Sequence, residues 1–208
     1  MMDLILLFFT GITIGISGAM IPGPLTLFTV SEALKGNRFA GLKIISGHIA
    51  VEFVFICFIL LGLQGLVTSS KAILSTVSII GSLALIIMGV MLLLYSGKMR
   101  LPDMKTNSGG FNKGLFIGGI FFSVISPGFL VWWATIGIST IIRALLFLGV
   151  LGAIILTLGH WLADIAWYGF MSYAIDKGKR YLDDKSYQNV MRFFSILLIV
   201  LGVYFLVR

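Results

Sequence analysis

Apolar runs about as long as a bilayer is thick, separated by short polar stretches, organise this chain. A helix needs roughly 20 apolar residues to cross the hydrocarbon, and six such runs can be drawn: Leu4–Leu34, Ala40–Leu63, Ile73–Ser96, Gly114–Ile138, Ala144–Tyr173 and Val190–Val207. Inside them the apolar positions run nearly all round, without the alternation of a soluble helix or strand, as lipid contact on most faces requires. The pattern predicts an all-α integral membrane protein with six transmembrane helices. The polar stretch Lys98–Asn112, with Pro102, Asn107, Ser108, Gly109 and Gly110, is the seam. It divides the chain into a first three-helix repeat (1–97), a cytoplasmic linker (98–112) and a second three-helix repeat (113–208). An odd number of spans per half sends the second copy into the membrane from the opposite side, so the halves are expected to form inverted repeats.

Composition agrees with that class. The chain has 208 residues, 59% of them hydrophobic and only 11% charged, and its mean hydropathy is +1.09, so no polar surface would remain to cover a water-soluble core. The net charge of +7 does not mark a nucleic-acid binder, because the basic residues lie in the gaps between apolar runs. Lys35, Arg38, Lys43, Lys98, Arg100, Lys105, Lys113, Lys177, Lys179, Arg180, Lys185 and Arg192 fall on one side, and only Lys71, Arg143 and Arg208 on the other. The positive-inside rule makes the richer side cytoplasmic and places both termini outside. The first run is read as a span and not as a cleaved leader, since Met1-Met2-Asp3 has no basic n-region and the apolar run continues past Ser17-Gly18-Ala19. The single cysteine, Cys57, excludes an intrachain disulfide or a dithiol relay.

Two spans carry ionisable side chains one helical turn apart: His48 with Glu52, and His160 with Asp164. Each pair stacks on one helix face. Such residues are costly in hydrocarbon unless they face a bundle interior or a wet cavity, which makes all four candidates for proton or ion coupling. The plainer alternative is a pair of interhelical hydrogen bonds. Imidazole and carboxylate also suit metal ions, but no third histidine or second thiol supports a metal site, and none is assigned. Glu32 with Lys35 reads as an interfacial ion pair.

Spans 1 and 4 contain proline and glycine: Pro22-Gly23-Pro24 in the first, Ser126-Pro127-Gly128 in the fourth. Proline in a helix interior costs about 3 kcal/mol. The expectation is therefore that helices 1 and 4 are broken there, with a proline early in each new half-helix and Ser126 as an N-cap. A broken end near the midplane leaves N–H groups able to hold a carboxylate, so these six residues, with Trp132 as a pocket wall, are the candidate substrate-binding set. The alternative is a kink satisfied by neighbouring helices. Gly11, Gly15 and Gly18, and Gly114, Gly118 and Gly119, permit close helix approach.

The Pro-Gly-Pro core at Pro22–Pro24, followed by the basic, glycine-containing loop Lys35-Gly36-Asn37-Arg38-Phe39-Ala40-Gly41, resembles the LysE/RhtB family of amino-acid exporters. Ser46-Gly47-His48 and Ser126-Pro127-Gly128-Phe129-Leu130 extend the likeness, although Ser126 stands where that family usually has Asn, and His48 where many members have Asp. The resemblance covers nearly the whole chain. It implies a secondary active transporter exporting amino acids or related small solutes from the cytoplasm across the inner membrane of a prokaryote, by proton or cation exchange with alternating access. Rival readings are a divalent metal-ion exporter of similar architecture and, further off, a membrane assembly factor. No enzyme chemistry is indicated: paired aspartates or a Ser-His arrangement for proteolysis are lacking, and no nucleotide-binding loop is present. The expected partners are a small-molecule substrate and lipid, with no cofactor and no nucleic acid; self-association as a homodimer is left open.

Overall fold

A computed structural model of the chain describes residues 2–62, 71–98 and 113–207. Every element among them is helical. In chain order these are α1 (Met2–Ala19), α2 (Pro24–Leu34), α3 (Ala40–Leu60), α4 (Lys71–Ser96), α5 (Lys113–Val124), α6 (Pro127–Trp132), a π-helical turn (Trp133–Gly137), α7 (Ile138–Gly178), a 3-10 turn (Lys179–Tyr181) and α8 (Asp184–Leu206). Among the described residues, four helical stretches are long and apolar enough to cross a membrane: α1, α3, the run from Gly128 to Tyr181 and α8. At 1.5 Å per residue the 21 residues of α3 extend ~31 Å, the thickness of the hydrocarbon layer. Large apolar side chains point outward along these helices, among them Leu6, Phe9, Phe53, Phe170 and Phe193. That surface belongs in lipid, and the protein is an all-α, multi-pass membrane protein.

Both expected helix breaks are present. α1 ends at Ala19, and α2 begins at Pro24 in the first helical position. Ser126 caps α6, its hydroxyl accepting from the Phe129 N–H at 3.4 Å, with Pro127 next in line. Proline suits that position because its missing N–H would have no intrahelical acceptor.

One boundary differs from the hydropathy reading. Spans 4 and 5 were expected to part between Ile138 and Ala144, but helix runs through that stretch and the backbone leaves it at Leu148 (φ −133°, ψ 23°) and Gly149 (φ 63°, ψ −157°). A Cβ on Gly152 would sit 2.6 Å from the Ala144 carbonyl oxygen. Residues eight apart in a straight helix are ~12 Å apart, so the chain reverses on itself here. The turn needs no polar residue because it is only about two residues long and Gly149 supplies its unusual backbone angles. The last helix also starts earlier than expected, at Asp184, behind the cap of Asp183 on the Ser186 N–H (2.8 Å). Leu63 and the linker 99–112 lie outside the described residues.

Packing forms two groups. α1 lies along the second part of α7, and α3 along α5 and α7. These approaches are close enough for backbone contact: a side chain on Gly159 would strike the Phe8 carbonyl, one on Gly11 the Leu156 carbonyl, one on Gly47 the Phe116 carbonyl and one on Gly119 the Ile44 carbonyl. α4 packs chiefly on α8, with Gly89 against Ser195 and Ile199 and Gly202 against Ser82 and Ile86. The α4–α8 pair meets the rest through α6, which lies against α4, and through Leu27, Val30 and Leu34 of α2, which join Leu85, Met191 and Leu198 in one apolar cluster.

Candidate functional site

The two His-acid pairs, far apart in sequence, meet. His48 and Glu52 come from the middle of α3, His160 and Asp164 from the second part of α7, and Glu52 Oε1 lies between the histidines, 3.1 Å from His48 Nε2 and 3.0 Å from His160 Nε2. Asp164 Oδ2 is 3.3 Å from His160 Nε2 and 4.0 Å from His48 Nε2. Glu52 and Asp164 are each 1% exposed, which sets them among the most buried side chains of the protein. Glycines permit the convergence: Gly41, whose Cβ would meet the Tyr168 carbonyl, lets α3 approach α7, and Gly47 and Gly159, each next to its histidine, let α3 and α7 press against α5 and α1.

Neighbours fix the orientation of the quartet. Ser123 donates its hydroxyl proton to the Gly119 carbonyl at 2.6 Å, so toward His48 Nδ1, 2.7 Å away, it can only accept. His48 therefore carries a proton on Nδ1 and turns Nε2 to the carboxylates. Trp133 Nε1–H donates to Glu52 Oε1 at 3.1 Å, and Trp132 stacks on the His160 ring at 5.0 Å and 20°. Successive residues of an α-helix point ~100° apart, and the π-helical turn that begins at Trp133 accompanies the placement of both indoles at this one site. Gly18 makes room for Trp132, since a Cβ there would lie 3.1 Å from the ring.

The quartet opens on a cavity of about 50 Å³ lined also by Gly18, Ile21, Gly23, Thr26, Ser126, Gly128 and Tyr168. The helix breaks thus reach the same place as the titratable groups. Gly23 of the first break lies beside Ser126 of the second, and Gly128 beside Ile21. At the start of α2, Gly23 offers no side-chain cap, and the first-turn N–H groups of Leu25 and Thr26, on the cavity wall, have no intrahelical acceptor. Thr26 Oγ1 and Tyr168 Oη, 3.4 Å apart, close the cavity on the α2 side. Around it Glu52 Oε2, Asp164 Oδ2, His160 Nδ1 and Trp132 Nε1 are buried without a hydrogen-bond partner among the described residues.

Of the candidate residues, His48, Glu52, His160, Asp164, Gly23, Ser126, Gly128 and Trp132 line the cavity. Pro22 and Pro24 do not: Pro22 sits within the break, and Pro24 is buried at the first position of α2. The side chain of Pro127 lies outside the described residues. Ser123 and Thr26 were not singled out from the sequence. Ser123 had a legible signal, a hydroxyl one turn before a Pro-Gly break, whereas Thr26 had none. Glu32 pairs with Lys35 at the end of α2, away from the site.

Comparison with known proteins adds a family. No curated protein and no solved structure is matched. The family model described as LysE type translocator matches residues 16–208, a stretch that takes in both helix breaks and all four titratable residues. The chain belongs to the LysE type translocator family of membrane transporters.

Proposed function

We propose that the protein is a secondary active exporter of amino acids or related small solutes, working by proton or cation exchange and alternating access across the cytoplasmic membrane. The observation that carries this is the meeting of four ionisable side chains from distant spans, within 3.0–4.0 Å, at the point where two broken helices abut. The cavity presents both signs of hydrogen-bonding demand. Glu52 Oε2 and Asp164 Oδ2 need donors, whereas Trp132 Nε1 and the first turn of α2 need acceptors, as an ammonium and a carboxylate on one small solute would supply. A volume of about 50 Å³ admits a few waters but not an amino acid, so binding calls for an opening that the breaks can hinge.

An inverted repeat supports the alternating-access part. The contact of Gly89 with Ser195 and Ile199 maps onto that of Gly202 with Ser82 and Ile86 by one constant shift along the chain, and the same holds for Gly47 on Phe116 and Gly159 on Phe8 when each span takes its own shift. Contacts that interchange in this way are what two copies about a two-fold axis would make, and they support that reading. On this reading there are six spans, with α1 and α2 forming the first and α5, α6 and the helix through residue 147 the fourth. The test is solute efflux from energised vesicles with Glu52→Gln and Asp164→Asn. Proton-coupled efflux should be lost in both while membrane insertion stays normal, and unchanged efflux would remove these carboxylates from the mechanism.

A further inference from the structure

The convergence of the pairs changes what they can bind. Either pair alone offers two donors, too few to hold a metal ion, but together they bring three within reach of one ion from two helices. Donors of one ion bound at 2.0–2.2 Å lie no more than about 4 Å apart. Each histidine Nε2 meets that limit with both carboxylates: His48 at 3.1 and 4.0 Å, His160 at 3.0 and 3.3 Å. His48, Glu52 and Asp164 offer one ligand atom each, all within 4.8 Å of one another. We propose that His48, Glu52 and Asp164 form a binding site for one divalent transition-metal ion of the zinc class, with His160 beside it as a hydrogen-bonding partner of the carboxylates.

Three further observations bear on this. Asp164 Oδ2 and Glu52 Oε2 are buried acceptors with no hydrogen-bond partner among the described residues, and a cation satisfies such atoms without a donor. Two ionised carboxylates and a neutral imidazole carry a charge that one divalent ion cancels, which a site in low dielectric favours. His48 has the supporting contact characteristic of a metal ligand, its Nδ1–H held by Ser123, so that the lone pair of Nε2 faces the carboxylates. The indoles of Trp132 and Trp133 pack on the ring of His160 beside the site. Any part such an ion plays in transport rests on the exporter reading above, where it would compete with the coupling cation for the same groups. The binding itself does not.

Tag-free protein in detergent, titrated with Co²⁺, tests the site. The expected result is one Co²⁺ per chain with the strong visible absorption of a low-coordinate nitrogen–oxygen site, displaced by Zn²⁺ and not by Mg²⁺. Glu52→Gln and Asp164→Asn should each abolish that absorption. Ser123→Ala, which keeps every donor, should weaken affinity by about 10–100-fold while the absorption at saturation persists. Absence of the absorption in the wild-type protein, or its survival in both carboxylate variants, overturns the proposal. Efflux by a wild-type protein that binds no Co²⁺ sinks the metal site alone and leaves the exporter standing; Co²⁺ binding by a protein inert in efflux supports the site and counts against the exporter.

Discussion

Glu52 Oε1 has three nitrogen atoms at 3.0–3.1 Å, from His48, His160 and Trp133. Of these, only the Trp133 indole has a fixed proton, because the imidazoles donate or accept according to tautomer and charge. Trp133 is thus the permanent anchor of the carboxylate, whereas Trp132, whose indole nitrogen is unpartnered, contributes its ring face to His160. Trp133→Phe keeps most of the packing and removes one hydrogen bond to a buried carboxylate, which should cost about 1.5–3 kcal/mol of stability. Trp132→Phe should cost less. Chemical unfolding of the two purified variants in detergent measures the difference, and an equal loss in both would mean that the bond to Glu52 does no more than the ring contacts. The sequence already exposed the four titratable residues and their pairing within each span, because a period of four residues is visible along a helix. It could not expose that Glu52 bonds to the histidine of the other pair, or that Ser123 orients His48, since contacts between spans leave no periodic trace.

At the scale of elements, what was legible depended on whether the backbone feature demanded a marker residue. The breaks at Pro24 and Pro127 could be read because proline is tolerated at the first turn and penalised elsewhere. The reversal at Leu148 and Gly149 could not, because apolar residues continue through it and exposed Arg143 suggests a loop where helix persists. Gly149 has open space where a Cβ would go, so substitution there isolates the backbone term. Its angles lie in a region used almost only by glycine, and Gly149→Ala should lower stability by about 1–3 kcal/mol, with Gly149→Asn no better, as thermal unfolding in detergent would show. Gly159→Leu should do far more damage, since its side chain would be driven into the Phe8 carbonyl and part α1 from α7. At the mouth of α8 the Ser186 N–H and hydroxyl hold the Asp183 carboxyl below the usual carboxylate range. A lowered folded-state value means that this cap contributes fully above the ordinary carboxylate pKa and is lost as pH falls through the lowered one. The protection of the Ser186 amide against exchange, relative to its intrinsic rate, should therefore fall only in acid, and Asp183→Asn should remove that acid step.

On the scale of the whole molecule, charge and geometry make a joint statement about orientation. Lys179 lies against Gly36, between α2 and α3, and Arg192 against Gly97, at the end of α4, so the basic segments gather at one end of the bundle. The positive-inside rule predicts that this end is cytoplasmic. The second part of α7 runs from the turn at Gly149 to Gly178 at the basic end, which places the turn on the opposite side. Leu146, 82% exposed beside that turn, and Lys185, at the start of α8, then report the two sides. In a Cys57→Ser background, an impermeant thiol reagent added to intact cells should label Leu146→Cys and reach Lys185→Cys only after the membrane is opened. The reverse pattern would turn the protein over in the membrane and, with it, the direction in which α2 opens the cavity. Labelling of both from outside would mean that α7 does not cross, and the two His-acid pairs could not then meet at mid-bilayer depth from helices that span it.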